Sequence, residues 1–183
     1  MDLRFIKPSI EYKKEILEFR EVFLLAGDNI MNGCGYLNRY SHIEVWLSHI
    51  KSYEHKDKID PNTGFVEGSQ WMLIDMDTRY ILGMTNIRHY LNDTLLKTSG
   101  HIGYSIRPDE RKKGYGRLQL QYALDFLHSI QVEKALVTCD EDNIASYKTI
   151  ESCGGVLENI TLNEKKGTLI RRYWIETDKN KHI

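Results

Sequence analysis

A short basic segment is the part of this sequence best suited to binding an anion. It reads Arg-Lys-Lys-Gly-Tyr-Gly-Arg over residues 111–117 and falls between a predicted strand and a predicted helix. The first turn of a helix has four N–H groups without intrahelical partners and a partial positive charge, and glycine lets the backbone approach a ligand closely. The segment therefore predicts a phosphate site. The alternative is that Gly114 and Gly116 only turn the chain and that the basic side chains are solvated.

Two widespread phosphate-binding motifs can be compared with this segment. The sequence contains no Gly-Lys-Ser/Thr ending of the kind that a P-loop requires. A Rossmann dinucleotide site is nearer, because Gly114 and Gly116 precede a predicted helix and strand, and Asp140 follows where a ribose-binding acid belongs. However, Gln119 stands where the third glycine is needed. A Rossmann-like dinucleotide-binding protein is therefore kept only as a minor alternative.

The composition is that of a folded domain without a strong charge bias. The 183 residues are 41% hydrophobic, and 25 basic against 26 acidic side chains give a net charge of -1. This balance offers no global attraction for nucleic acid, and no apolar run approaches the ~18 residues that a membrane span needs. No signal-peptide pattern is present, and three widely spaced cysteines suit a reducing compartment. We expect one cytoplasmic domain over residues 1–183, without a nucleic-acid or membrane partner.

The hydrophobic pattern predicts the elements that position the basic segment. After a strand at 3–7, one helix ends near Gly27 and a second begins at a capping box, Ser41 to Glu44. The remaining predictions are strands at 70–76, 79–91 and 101–106 with a loop at 92–99, a helix at 116–130, a buried strand at 135–139, a helix at 143–153 and a hairpin at 156–162 and 168–176. This order predicts an α/β (α+β) fold whose mixed, mostly antiparallel sheet is flanked by helices and contains one parallel strand-helix-strand crossover.

Two motifs in register resemble those of the Gcn5-related N-acetyltransferase (GNAT) superfamily. Residues 111–116 look like its Arg/Gln-x-x-Gly-x-Gly/Ala signature. Residues 143–146, Asn-Ile-Ala-Ser, followed by Gly154, look like its Asn-x-x-Ser/Ala helix closed by a glycine. The predicted order of elements over residues 2–176 is similar as well. Within the superfamily, residues 100–108 together with 142–146 resemble a bacterial branch of predicted acetyltransferases of undefined substrate.

The resemblance implies acetyl coenzyme A (acetyl-CoA) as the co-substrate. The loop amides would hold its pyrophosphate, the end of the preceding strand would pair with the pantetheine arm, and the start of the following helix would contact that arm. For Asn143 the alternative is helix capping. The coenzyme-binding residues implied in this way are Tyr104, Ser105, Ile106, Arg107, Arg111, Lys112, Lys113, Gly114, Tyr115, Gly116, Arg117, Asn143 and Ser146.

The reaction implied by the resemblance is direct transfer of an acetyl group to a primary amine of a small molecule or peptide. Many members use a tyrosine seven residues after the motif asparagine as an acid, but this sequence has Ile150 there. Tyr147 is the nearest phenol, although its helical spacing with Ile150 is also typical of a core residue. His101 and His89 are the candidate bases, because histidine titrates near neutral pH. For each, the alternative is a strand histidine held by a hydrogen bond.

Other residues give weaker indications. Glu67 and Asp75 are secondary candidates for the base. His42 and His49 face the same way on a predicted helix but lack a recognised metal-binding spacing, so we expect no metal.

Partners and competing functions stay open at this level. By the resemblance, the loops at 27–40 and 56–69 would line the side from which the amine acceptor enters. The C-terminal strands could pair in a homodimer. The non-enzymatic alternative is a module that binds coenzyme A and senses its acyl status.

Overall fold

The computed structural model describes residues 1–164 and 166–178, which are built around a seven-stranded sheet. The strands are β1 (Leu3–Ile6), β2 (Gly68–Asp75), β3 (Tyr80–Arg88), β4 (Ile102–Ile106), β5 (Lys134–Asp140), β6 (Val156–Asn163) and β7 (Thr168–Glu176). Their order across the sheet is β1-β2-β3-β4-β5-β7-β6. Only the β4–β5 pair is parallel among these strands. The predicted mixed, mostly antiparallel sheet with one parallel crossover is confirmed.

In the part of the chain that the structure describes, five α-helices and several short 3-10 turns flank this sheet. The α-helices are α1 (Lys13–Leu25), α2 (Ile43–Ser52), α3 (Asp93–Thr98), α4 (Tyr115–Ser129) and α5 (Ile144–Ser152). The 3-10 turns are Ile10–Tyr12, Leu37–Arg39, Lys56–Lys58, Pro61–Thr63 and Pro108–Glu110. Within the described ranges, no helix has the length and apolar character that crossing a bilayer demands.

The helices bury apolar side chains against opposite faces of the sheet. Phe19 of α1 and Trp46 of α2 share one core with Met84 of β3. Leu124 of α4 shares the other core with Ile87 of β3. The residues of each core are fully or almost fully buried, and each large apolar side chain removed from water contributes about 1.5–3 kcal/mol. Burial on both faces fixes the register of the central strands.

Strand alternation then decides which side chains share a face. Met84 faces α1 and α2, so the side chains of Asn86 and Arg88 on the same strand face them too. Ile102 of β4 belongs to the α4 and α5 core, so its neighbours His101 and Gly103 lie on the α1 and α2 face. We call this face the acceptor face, because the loop at 27–40, which the resemblance predicts to line the acceptor side, crosses β4 there.

Two local predictions are wrong, and each has a physical reason. Residues 93–98, predicted as loop, form α3, because the Asn92 side chain accepts a hydrogen bond from Leu95 N at 2.9 Å and caps the helix. The capping box at Ser41 does not form: α2 begins after His42, without a side-chain cap. Glu44, its expected acidic member, is instead paired with Lys13 of α1 at 2.5 Å.

Candidate active site

The loop before α4 presents a row of free backbone amides. Lys112 and Gly114 take left-handed conformations, with φ of 65° and 89°, and α4 starts immediately afterwards at Tyr115. The first hydrogen bond of the helix runs from Leu118 N to Gly114 O at 3.3 Å. Within residues 1–164 and 166–178, the amides of residues 112–117 donate to no acceptor. A helix start with these open donors fits the diphosphate of a coenzyme.

The basic side chains of this loop divide into two kinds. Arg111 is exposed, but its guanidinium is engaged within the protein, since it pairs with Asp28 and donates from Nε to Ile106 O at 3.1 Å. Lys113 pairs with Glu110 at 2.9 Å. Lys112 and Arg117 are exposed and have no ion-pair partner in the described part of the chain. Lys112 and Arg117 are therefore the cations available to an incoming phosphate.

A widening gap between β4 and β5 leads away from this loop. The parallel register is limited to the pair Ile102 and Val137, although β5 continues to Asp140. Because Arg107 N donates to Leu82 O, the alternation of antiparallel hydrogen bonds directs the peptide groups of Ile106 away from β3, towards the gap. The diverging strands thus leave the Ile106 N–H without a partner in the described strands and open to a ligand that lies along β4, whereas Ile106 O already accepts from Arg111 Nε.

Several predicted coenzyme contacts have structural roles in this arrangement. Asn143 caps α5, since its Oδ1 accepts from Ser146 N at 3.1 Å. The Ser146 hydroxyl lies 3.4 Å from the Tyr104 hydroxyl and ties α5 to β4. Burial raises the pKa of Tyr104 to about 12, so its phenol is neutral at pH 7. The Arg107 side chain is bound to Asp109 at 3.0 Å. Asn143 and Ser146 stand at the gap, and their contact with the coenzyme stays a prediction.

The three candidate catalytic residues are not brought together. His101 is buried on the acceptor face, and its Nδ1 accepts from Leu136 N at 2.9 Å. His89 lies on the opposite face, where its ring is 5.5 Å from that of Phe126 and its Nε2 is 2.8 Å from Ser69 Oγ. The ring of Tyr147 lies beneath the guanidinium of Arg171 at 4.6 Å.

Electrostatics distinguish the two histidines further. Burial, with a smaller effect of the neighbouring Arg88 charge, lowers the pKa of His101 to about 4. Neutral His101 therefore keeps its proton on Nε2 and has no free lone pair, because the Leu136 amide occupies Nδ1. Burial also lowers the pKa of His89. As general bases both start from the neutral form, but His101 is already engaged at its basic nitrogen.

The remaining sequence candidates have clear local partners. Ile150 is fully buried in the α4 and α5 core, so the position of the usual tyrosine is filled by packing. Glu67 Oε1 lies 3.9 Å from His89 Nδ1 on the far face. Asp75 is buried and accepts from Asp2 N and Asp77 N, which ties β2 to the chain start.

Sequence reasoning missed a polar group on the acceptor face. Gln70 of β2 donates to Gly33 O at 2.7 Å and to Thr85 O at 3.0 Å. Asn86 of β3 lies 3.5 Å from the Tyr53 hydroxyl. Arg88 follows two residues later on the same face. The available signal was the alternation of Gln70, Asn86 and Arg88 with apolar residues on strands that are otherwise buried.

The loop at 27–40 closes over β4 at this point. Ser105 Oγ donates to Asn32 O at 2.6 Å. A side chain at Gly33 would collide with Gly103 O, because its Cβ would lie 2.1 Å away. The loop, the end of α2 and the segment after the 3-10 turn Pro61–Thr63 also bring together an aromatic cluster, defined as Tyr36, Tyr40, His49, Tyr53 and Phe65. In the described residues, no group of three or more histidine, cysteine and acidic side chains is arranged to hold a metal ion.

Comparisons with known proteins agree with this architecture. The model of the acetyltransferase (GNAT) domain family matches residues 33–156. The uncharacterized N-acetyltransferase YjdG of Bacillus subtilis (strain 168) is 27% identical over 99 residues, which are 54% of this chain and 57% of that protein. This chain thus spans little more than half the length of that relative in the match.

Two solved structures have the same fold. A chimera of the spermidine N-acetyltransferase SpeG from Vibrio cholerae and hSSAT superposes with a TM-score of 0.68 at 17% identity, over 100% of both chains. YncA, a putative acetyltransferase from Salmonella typhimurium solved with its cofactor acetyl-CoA, gives a TM-score of 0.63 at 11% identity, over 97% of this chain and 95% of the other.

The sheet, the open amides and the diverging strands define an acetyltransferase type of fold. Because the family model covers more than half of the sequence, the chain belongs to the GNAT acetyltransferase family. The resemblance drawn from the two motifs is confirmed.

Proposed function

We propose that this protein is an acetyl-CoA-dependent N-acetyltransferase that acetylates a primary amine of a small molecule or peptide. One observation carries the proposal: the unpartnered amides of residues 112–117 lie at the start of α4, next to the gap between β4 and β5. The solved YncA structure, which has this fold, contains acetyl-CoA. The coenzyme would supply the activated acetyl thioester.

The residues around the gap would hold the two reactants in attack geometry. The loop amides and Lys112 bind the diphosphate, and the β4 peptide groups align the arm that carries the thioester. The loop at 27–40 and the aromatic cluster form the boundary of the acceptor face. Holding two reactants in this way can contribute several kcal/mol, up to ~7–11 in ideal cases, to lowering the barrier.

The structure supports His101, His89 and Tyr147 unequally as groups that would transfer a proton during the reaction. His101 lies on the acceptor face, but its Nδ1 is engaged, which supports a role as hydrogen-bond donor through Nε2. His89 and Tyr147 face the α4 and α5 side. A water chain that carries the proton from the amine to solvent agrees with the geometry of all three residues.

A steady-state assay of thiol release tests the proposal. Purified protein, acetyl-CoA and a panel of primary amines should release free coenzyme A only when an acceptor is present. Tight binding of acetyl-CoA without turnover on any amine would instead support the non-catalytic sensing module. The Rossmann alternative is wrong for this fold, because β4 and β5 are the sole parallel pair among the described strands.

The wider setting is proposed on weaker grounds. We place the protein in the cytoplasm, because its three cysteines are buried free thiols, which suits a reducing compartment. We also propose a single N-acetyltransferase domain over residues 1–183 and a homodimer formed through β6, the outermost strand.

A further inference from the structure

We propose that the amine acceptor carries a carboxylate and that Arg88 binds it. This inference rests on the proposed acetyltransferase function and adds the chemical class of the substrate. It depends on the position of Arg88, on the lack of a carboxylate partner for it and on the chemistry of its surroundings.

Arg88 lies where an acceptor would approach the gap. Its backbone N donates to His101 O at 2.8 Å. Arg88 is therefore paired with the residue just before β4, the strand that borders the gap. Its side chain faces α1 and α2, and Nη1 donates to Gly100 O at 3.1 Å. Nη1 is also 3.9 Å from the position that a Cβ on Gly103 would occupy. The guanidinium therefore lies beside β4 on the acceptor face.

No carboxylate neutralises this arginine in the described part of the chain. Arg79, Arg107 and Arg111, by contrast, each have a carboxylate oxygen within 3.0 Å. Arg88 is partly buried, and burial lowers its pKa. A partly buried cation without a counter-charge is unfavourable, and a bound anion would relieve that cost. The planar guanidinium binds a carboxylate with two parallel hydrogen bonds, which a lysine cannot imitate.

The groups around Arg88 are neutral. Tyr36, Tyr53 and His101 are the titratable side chains that interact with its charge, and burial keeps the Tyr53 phenol protonated and the His101 imidazole neutral. Burial also lowers the pKa of His49, whose ring packs against both tyrosines, so that its imidazole is neutral at pH 7. Glu54, the acidic side chain that acts on Tyr53 of the aromatic cluster, is already paired with Lys7 at 2.8 Å. The aromatic cluster therefore offers nothing to balance the charges of a polyamine, whereas Arg88 offers a partner to an acid.

Shape agrees with an acceptor of amino-acid type. Tyr36 and Phe65 are partly exposed, with 44% and 40% of their surface accessible, and their ring centroids lie 6.2 Å apart. Such faces can cover the apolar part of a small ligand while Arg88 binds its carboxylate. Spermidine, the substrate in the name of the similar Vibrio cholerae enzyme, carries no carboxylate, so the two sites would select different acceptors.

The test compares amines that differ only in a carboxylate. The pairs are L-tyrosine with tyramine, L-phenylalanine with phenethylamine, and L-lysine with cadaverine, each assayed for kcat/KM with acetyl-CoA. The wild-type protein should prefer the carboxylate-bearing member, and Arg88→Gln should lower its kcat/KM about 100-fold while changing the other member less than threefold. Arg88→Lys should recover only part of the preference. Arg4→Gln, an exposed arginine on β1, is the control and should leave the preference unchanged.

Each outcome has a definite meaning. A wild-type protein that acetylates the decarboxylated amines equally well or better overturns the inference, and so does a preference that survives Arg88→Gln. An equal loss for both members of each pair would show that Arg88 acts on the acetyl group and not on the acceptor. Acetyl-CoA binding without transfer to any amine of the panel also overturns it. Failure to bind acetyl-CoA would refute the proposed function itself. If Arg88→Gln does not fold, the wild-type ratios alone decide.

Discussion

His101 shows how one buried side chain couples stability to pH. Its pKa of about 4 in the folded protein lies below the ordinary value of 6.5, so the unfolded chain binds more protons between these two values. Stability should therefore fall as the pH drops from 7 towards 4, with His101 contributing about 3 kcal/mol. In His101→Asn, whose Oδ1 can still accept from Leu136 N, this share of the pH dependence should disappear in urea unfolding at pH 7 and pH 4.5.

The control for this prediction is His55→Asn, at an exposed histidine before a 3-10 turn. It should keep the wild-type difference between the two pH values. Parallel pH curves for wild type and His101→Asn would contradict the assignment of His101 as a buried neutral group.

The same residues show what could be predicted from sequence at this scale. The strands were predicted to include His89 and His101, but β3 ends at Arg88 and β4 begins at Ile102, so each histidine lies one residue beyond a strand. The face of each histidine depends on which neighbours reach each core. Ile102 and Phe126 settle this through packing between distant segments. Arg88 escaped notice for a related reason, because the lack of a carboxylate near it is a property of the whole fold.

At the scale of elements, the start of α4 is the feature to perturb. A Cβ on Gly116 would meet Thr149 and Ile106 at 3.6–3.8 Å, which is ordinary contact, so Gly116→Ala should fold and gain about 0.5–1 kcal/mol of helix stability. Because Gly116 carries one of the open amides, the added methyl group should weaken acetyl-CoA binding at least tenfold by calorimetry. Gly116→Val should abolish binding.

Gly167→Ala is the reciprocal control for the Gly116 variants. Gly167 has a φ of 69° in the β6–β7 turn and nothing within 4 Å of its Cβ position, so alanine should lower the melting temperature without changing affinity. Unchanged affinity in Gly116→Val would refute the assignment of the loop.

The cap of α5 gives a second test among the elements. Removing the Asn143 side chain takes away its hydrogen bond to Ser146 N, and Asn143→Ala should lower the free energy of unfolding by about 1 kcal/mol. If Asn143 also contacts the coenzyme, the affinity for acetyl-CoA should fall as well. Asp142→Ala, at the exposed neighbour, should do neither. A variant with wild-type stability in urea would contradict the capping role.

The helices and strands themselves were largely predictable, because their periodicity is set by burial on one face. The helix at 116–130 and the hairpin at 156–176 were found within a few residues of α4, β6 and β7. The sequence pattern did not predict which partner a polar side chain would choose for its hydrogen bond. Asn92 begins a short helix that carries no buried residue, and Lys13, thirty-one positions away, removes Glu44 from its capping box.

At the scale of the whole molecule, the outermost strand β6 exposes apolar side chains that a second copy of the protein could cover. Val156 and Leu162 are 70% and 55% exposed, and a cavity of about 550 Å³ lies beside Val156 and Trp174. An outer strand with such residues favours association. The protein should be a dimer by light scattering, and Leu162→Lys should make it monomeric. Leu25→Lys, at the 81% exposed end of α1, should not. A wild-type protein that is monomeric at micromolar concentration would contradict the dimer.

The order of elements was enough to predict the fold class, since one buried strand between two helices implies a parallel crossover. The position of the gap was not predictable from the residues alone. It depends on where β4 and β5 separate, after Ile102 and Val137, and on α5 reaching the Tyr104 hydroxyl through Ser146 at 3.4 Å.

The most direct test of the central claim is a titration of the ¹⁵N-labelled protein with acetyl-CoA, followed by amide chemical shifts. If the loop holds the diphosphate, the amides of residues 112–117 should show the largest changes and saturate with the affinity measured by calorimetry. Saturating acetyl-CoA that leaves these amides unmoved, or that shifts only the cavity beside Trp174, would contradict it.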